Sequence, residues 1–313
     1  MKVTDEAAGI PLVSVVIPMY QAEAWIADTL ASVAAQTHPR IETVVVDDGS
    51  SDQGADLVSV FGGSAERSVS LVRTTNKGVS AARNLGIAES NGVYVALLDA
   101  DDLWHPTKLE SQVAQLERSG SPMCVCSYEY FDDRTRRRIG IIRVDDGSRA
   151  LRGWMALEGH GLALASTALI RRQVLDDLRH FDPTFSISAD LDFALRVDEI
   201  GHLDALPEVL VGYRAHPGQM HRQVNVLKGD LSVLFDRVFY DGGDPSFERR
   251  CRANLAVHIG LSQLLRGRVG TAVRYLGQSM RWDPRRIVTL PLRASVRRSR
   301  RRLRALFAGA SQW

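Results

Sequence analysis

Three carboxylates stand within four positions, at Asp99, Asp101 and Asp102, inside the run Leu97-Leu98-Asp99-Ala100-Asp101-Asp102-Leu103-Trp104-His105-Pro106. In an extended backbone, residues two apart point to the same side, so Asp99 and Asp101 are expected to converge while Asp102 points away. Two carboxylates held that close repel each other unless a cation sits between them. A hard divalent ion with oxygen ligands, Mg²⁺ or Mn²⁺, is the expected occupant, completed by substrate phosphates and water. In isolation such a run is more often an acidic turn, with Asp102 capping the helix that Pro106 helps to start. Here it closes the apolar stretch Val93-Tyr94-Val95-Ala96-Leu97-Leu98, which reads as a buried strand. Open α/β sheets bind ligands beyond the carboxyl ends of their strands, and that placement favours a site over a turn.

The first hundred residues contain the elements needed to hold such a site. Val13-Ser14-Val15-Val16-Ile17-Pro18 reads as a buried strand stopped by proline, and Trp25, Ile26, Thr29, Leu30 and Val33 follow at helical spacing. A second strand, Ile41 to Val46, runs into Asp47-Asp48-Gly49-Ser50-Ser51-Asp52. A helix near 52–61, a strand near 69–74 and a helix through Ala88 lead to the strand before Asp99. Strands separated by single helices imply right-handed crossovers and a mostly parallel, doubly wound sheet. Pro18, Asp48 and Asp99 then line one crevice.

With 313 residues, there is room for one large α/β domain and an appendage. Apolar residues make up 45% and charged residues 24%, the balance of an ordinary globular protein rather than a disordered one. Three cysteines form no disulfide framework, so a reducing, cytoplasmic compartment is expected, with Cys124 and Cys126 as packing residues on a strand. Asp5 and Glu6 interrupt any signal-peptide pattern, and no stretch of about 18 apolar residues is present to span a membrane. The net charge of +2 conceals an asymmetry, since Arg285 to Arg304 is rich in arginine and has no acid.

The order of motifs resembles the family 2 glycosyltransferases, which carry a GT-A fold and use nucleotide-diphosphate sugars. The resemblance is carried by Val13–Tyr20, Val46–Asp52, Asn76–Asn84, Leu98–Asp102, Ala189–Arg196 and Tyr213–Pro217, in the family's order over roughly two thirds of the chain. It implies recognition of a uracil-type base at Asp48 and nucleoside contacts from Pro18 and Tyr20. It places Lys77, Gly78, Arg83 and Ala100 with Asp99 and Asp101 around the donor. Asp99, Asp101 and His216 would hold the metal, Mn²⁺ or Mg²⁺. The general base falls on the acid that opens the helix from 190 to 200, which is Asp190; a mere cap is the plain alternative. The family often has Glu-Asp there, whereas this chain has Ala189-Asp190, which leaves Asp192 as a competitor. The implied reaction inverts the sugar's configuration and delivers it, from a UDP-sugar first of all, to a glycan or lipid-linked acceptor.

The division that follows is a nucleotide-sugar half over 1–120, an acceptor half over 121–224 and a helical C-terminal region over 225–313. The turn Asp133-Arg134-Thr135-Arg136-Arg137-Arg138 reads as a solvated basic hairpin rather than a phosphate site, and His160 as a packing or surface residue. Gln278-Ser279-Met280-Arg281-Trp282 fits the QxxRW signature of processive sugar polymerases but is read as coincidence, lacking its usual spacing and membrane helices. Residues 285–307 form a basic amphipathic pattern suited to an anionic membrane on the cytoplasmic face, ahead of nucleic acid or a disordered tail. An inactive nucleotide-sugar-binding relative is the alternative reading. A nucleotidyltransferase is disfavoured, because Pro18-Met19-Tyr20-Gln21-Ala22-Glu23 lacks its glycine-rich loop.

Overall fold

The computed structural model describes residues 9–61, 67–158, 162–216 and 224–287. One unit comprises the chain up to Leu151 together with Gly161–Met220. It opens with β1 (Val13–Met19), α1 (Ile26–Ala34), β2 (Ile41–Asp47), α2 (Gly54–Ser59), β3 (Arg67–Arg73), α3 (Val79–Ala88) and β4 (Tyr94–Leu97). β1 and β2 are buried along nearly their whole length, as continuous apolar runs covered on both faces must be. β3 alternates between exposed and half-buried positions and forms the sheet edge. In α1 the buried residues Ile26, Thr29, Leu30 and Val33 recur at i, i+3, i+4 and i+7, which fixes the face laid on the sheet.

The chain continues through β5 (Leu103–Trp104), α4 (Lys108–Ser119), β6 (Met123–Asp132), β7 (Arg138–Ile142), α5 (Gly147–Met155), α6 (Leu164–Thr167), β8 (Leu169–Arg171), α7 (Arg172–Asp177), α8 (Ala189–Ile200) and β9 (Asp204–Ala215). Among the described residues the strands form one mixed sheet in the order β3-β2-β1-β4-β8-β6-β9-β5, with β7 on β6. The β3-β2-β1-β4 half is entirely parallel. β8 then joins β4 antiparallel, and the parallel β6–β9 pair extends the sheet beyond it. Cys124 and Cys126 are buried on β6, consistent with packing roles.

The caps that stood as plain alternatives at Asp102 and Asp190 are not formed. α4 starts at Lys108 after Thr107, so Asp102 does not cap it, and Ser188 rather than Asp190 precedes α8. α4 begins well beyond Asp102, and Asp190 lies inside the first turn of α8, so neither carboxylate serves as the N-cap.

A second unit takes in Arg152–His160 and the chain from His221 onward. Its helices are α9 (Val224–Val238), α10 (Pro245–Leu265) and α11 (Val269–Trp282). Asp244 caps α10 by accepting the Ser246 and Phe247 amides, with Pro245 at the first helical position. No helix among the described residues is long and apolar enough to cross a membrane. His160 and residues 288–307 of the basic pattern lie outside the described residues.

Candidate active site

The strand-to-helix connections after β1, β2 and β4 open at one edge of the sheet. β4 ends at Leu97, and the chain then turns, with the Asp102 amide donating to the Asp99 carbonyl at 3.1 Å. The turn draws three carboxylates together: oxygens of Asp99, Asp101 and Asp102 all lie within 4.8 Å of one another. The expectation that Asp102 points away rested on an extended backbone and is corrected here, because a turn sets the directions. Asp102 is buried behind the other two. Its Oδ2 accepts the Ser166 hydroxyl at 2.6 Å, and its Oδ1 accepts the Arg214 amide at 2.9 Å. Asp99 and Asp101 keep 31% and 24% of their side-chain surface exposed, so they face the crevice.

Burial, followed by the charges of Asp101 and Asp99, pushes the Asp102 carboxyl well above the usual range. Burial also raises Asp99, opposed by Arg83 and reinforced by Asp101. A cation would relieve this repulsion. His216 Nε2 lies 2.7 Å from Asp101 Oδ2, and its ring packs 4.2 Å from that of Trp25. Carboxylate oxygens with one imidazole fit Mn²⁺ well and Mg²⁺ through its oxygen ligands.

Arg83 projects from α3 with Nη2 3.0 Å from Asp99 Oδ1, so it orients that carboxylate. The same helix holds the segment before α8. Ser80 Oγ donates to the Phe185 carbonyl, and the Asn84 amide exchanges hydrogen bonds with the Phe181 backbone at 2.8 and 3.0 Å. Asp190 thereby sits in the first turn of α8, within electrostatic reach of Arg83 and Asp99. Burial pushes its carboxyl up to about 6, with Arg83 lowering it and Asp99 raising it. Asp192 is buried instead, with Oδ2 at 2.9 and 3.1 Å from the Arg196 guanidinium.

Asp48, after β2, is buried and ties its own loop to the one before α3. Its Oδ1 accepts the Lys77 amide and its Oδ2 the Gly78 amide, each at 2.8 Å. Gly78 takes a left-handed φ of 89° immediately before α3, a conformation that suits glycine. Gly49, at φ 80°, lies where an added Cβ would stand 2.9 Å from the Asn76 amide nitrogen. Pro18 is the penultimate residue of β1, which runs on through the proline to Met19, and Tyr20 and the Lys77 side chain are exposed. Ala100 is buried, its carbonyl accepting the Thr29 hydroxyl at 2.9 Å.

Several supporting residues went unread in the sequence. Arg214 is almost fully buried. It donates from Nε to the Asp101 carbonyl at 2.6 Å and pairs with Asp133 at 2.9 Å and Asp28 at 3.2 Å. Arg136 of the basic hairpin pairs with Asp28 at 2.6 Å and remains exposed. Ser166, on short α6, is equally silent in the sequence; a charged residue inside the apolar strand β9 was the available signal for Arg214.

The mixed sheet flanked by helices is that of a GT-A glycosyltransferase fold. Residues 14–179 match Glycosyl transferase family 2, and the chain belongs to that family. An uncharacterized glycosyltransferase of Rickettsia felis is 35% identical over 122 residues, which cover 39% of this chain and 20% of that protein. The fold is shared with Staphylococcus aureus TarS 1-349 in complex with UDP-GlcNAc, at TM-score 0.62 and 18% identity over 89% of this chain and 83% of that one. It is shared too with the mannosyltransferase PcManGT of Pyrobaculum calidifontis in complex with GDP-Man and Mn²⁺. There the TM-score is 0.59 and the identity 21%, over 94% of this chain and 80% of that one.

Proposed function

We propose that the chain transfers a sugar from a nucleotide-diphosphate donor, UDP-sugars first, to a hydroxyl of a glycan or lipid-linked acceptor, with inversion. The observation that carries this reading is the pairing of two kinds of carboxylate in one crevice. Asp99 and Asp101, open to solvent and beside His216, lie on one side of Arg83, and Asp190 feels that same arginine. A divalent ion, Mn²⁺ or Mg²⁺, held by Asp99, Asp101 and His216 would neutralise the charge that develops on the diphosphate leaving group. The binding of GDP-Man with Mn²⁺ by one fold relative and of UDP-GlcNAc by another supports both donor class and metal.

Asp190 acts as the general base. A carboxyl raised to about 6 is a stronger proton acceptor than an ordinary aspartate yet stays ionised at neutral pH. Asp192 is disfavoured because its oxygen is committed to Arg196. Arg83 positions Asp99, and Asp48 fixes the Lys77–Gly78 loop beside the nucleoside, where Pro18 and Tyr20 border the base. Attack from the face opposite the diphosphate inverts the anomeric centre without a covalent intermediate. Residues 1–120 serve the donor and 121–224 the acceptor, with the enzyme working in the cytoplasm. A panel of UDP-, GDP- and dTDP-sugars, scored by thermal shift with Mn²⁺ and by release of the nucleoside diphosphate, tests the reading. One donor class should stabilise the protein and be turned over; stabilisation by none of them refutes it.

A further inference from the structure

Beside the apolar face that α1 lays on the sheet runs a second, polar stripe. Trp25, Asp28, Thr29, Ser32 and Gln36 recur at i, i+3, i+4, i+7 and i+11, so they share one side of the helix. Each reaches the acidic turn, the chain just after it, or a residue bonded to the turn. Thr29 is fully buried and shares its hydroxyl proton between the Ala100 and Asp102 carbonyls, at 2.9 and 3.0 Å. Asp28 pairs with Arg214, whose Nε donates to the intervening Asp101 carbonyl. Ser32 Oγ accepts the Trp104 amide at 3.1 Å. Gln36 accepts the Leu109 amide at 3.1 Å and donates to the His105 carbonyl at 2.8 Å. One side of one helix therefore sets the successive carbonyls of Ala100, Asp101 and Asp102, and with them the backbone that aims the carboxylates.

Trp25 acts on the imidazole. Its ring packs 4.2 Å from that of His216, tilted by 36°, and its indole N–H donates to the Asp133 carboxylate. Asp133 is itself held by Arg214 at 2.9 Å. His216 thus meets the indole through its ring and Asp101 through Nε2.

We propose that α1 positions the metal ligands, Thr29 by fixing the acidic turn and Trp25 by fixing the His216 imidazole. The inference rests on the reading of Asp99, Asp101 and His216 as those ligands. Partners behind a ligand set its orientation, and their loss commonly weakens metal binding about 10–100-fold. A packing role alone would lower stability and leave metal affinity as it is.

The test reads Mn²⁺ binding to the full chain by electron paramagnetic resonance, with UDP or GDP present, alongside melting in EDTA. Thr29→Val keeps the branched shape and removes the hydroxyl, whereas Thr29→Ser keeps the hydroxyl. Thr29→Val should weaken Mn²⁺ binding about tenfold, and Thr29→Ser should stay within about threefold of the parent protein. Trp25 is half-buried at the helix start, so its replacement spares the buried core. Trp25→Leu should weaken binding likewise and diminish the nitrogen modulation of the Mn²⁺ spin echo, with His216→Ala as the reference for complete loss. Trp25→Phe, which keeps a ring against the imidazole, should retain that modulation. Parent-like affinity in both Thr29→Val and Trp25→Leu, whatever their melting temperatures, overturns the proposal, as does a loss in Thr29→Ser equal to that in Thr29→Val. A parent protein that binds no Mn²⁺, or binds it without nitrogen modulation, overturns the metal reading itself.

Discussion

Replacing Asp190 by asparagine should make the protein more stable and less active at once. Its carboxyl rises from 3.8 to about 6 on folding, chiefly through burial. A folded-state value above the unfolded one means that the ionised form costs folding free energy above pH 6 or so. The cost fades as pH falls through that value and is gone below 3.8, where both states are protonated. Two pH units correspond to about 3 kcal/mol, and partial access to solvent lowers this to about 2–3 kcal/mol. Asparagine keeps the acceptor for the Leu191 amide, now at 2.9 Å, so the helix start survives. In EDTA at pH 8, Asp190→Asn should therefore melt about 5–10 °C above the parent protein, and the gain should vanish at about pH 4. Turnover at pH 8 with Mn²⁺ should fall about 10²–10⁴-fold, the usual worth of a positioned base. A variant that melts lower than the parent at pH 8, or that turns over normally, refutes the reasoning.

Other expectations follow from neighbouring groups. Asp192→Asn should lower stability by breaking the buried pair with Arg196 while leaving turnover within about threefold of the parent, measured by melting and by nucleoside diphosphate release. Asp99→Asn, Asp101→Asn and EDTA should each suppress turnover and weaken donor binding without unfolding, because both side chains face the crevice. The acid limb of the rate profile should have its midpoint at or below about pH 6, activity rising with pH as Asp190 ionises, since a bound cation favours the carboxylate. Asp48→Ala should cost about 1–2 kcal/mol and weaken donor affinity, because the Lys77 and Gly78 amides lose their shared acceptor.

Periodicity made the parallel half of the sheet readable, because β1, β2 and β4 are apolar runs bounded by proline and acidic turns. It also made α8 readable, with Asp190 at its start. What the chain order could not convey was proximity across long separations. His216 meets Asp101 across 115 positions, and only the resemblance joined them. Asp102 was misdirected because alternation applies to strands, and β4 stops at Leu97. The Asp48 clamp escaped notice because its partners are backbone amides, which every residue but proline carries. The antiparallel entry of β8 escaped for a similar reason, a strand of three residues leaving no periodic trace.

The central claim, inverting transfer with Asp190 as base, is tested most directly by the anomer first released. The α-linked nucleotide sugar that binds in the panel is incubated with Mn²⁺ and water as acceptor, and proton NMR follows the free sugar before it mutarotates. The account predicts the β anomer, formed by the parent protein and lost in Asp190→Asn. An initial α anomer, or β anomer formed equally well by Asp190→Asn, contradicts it.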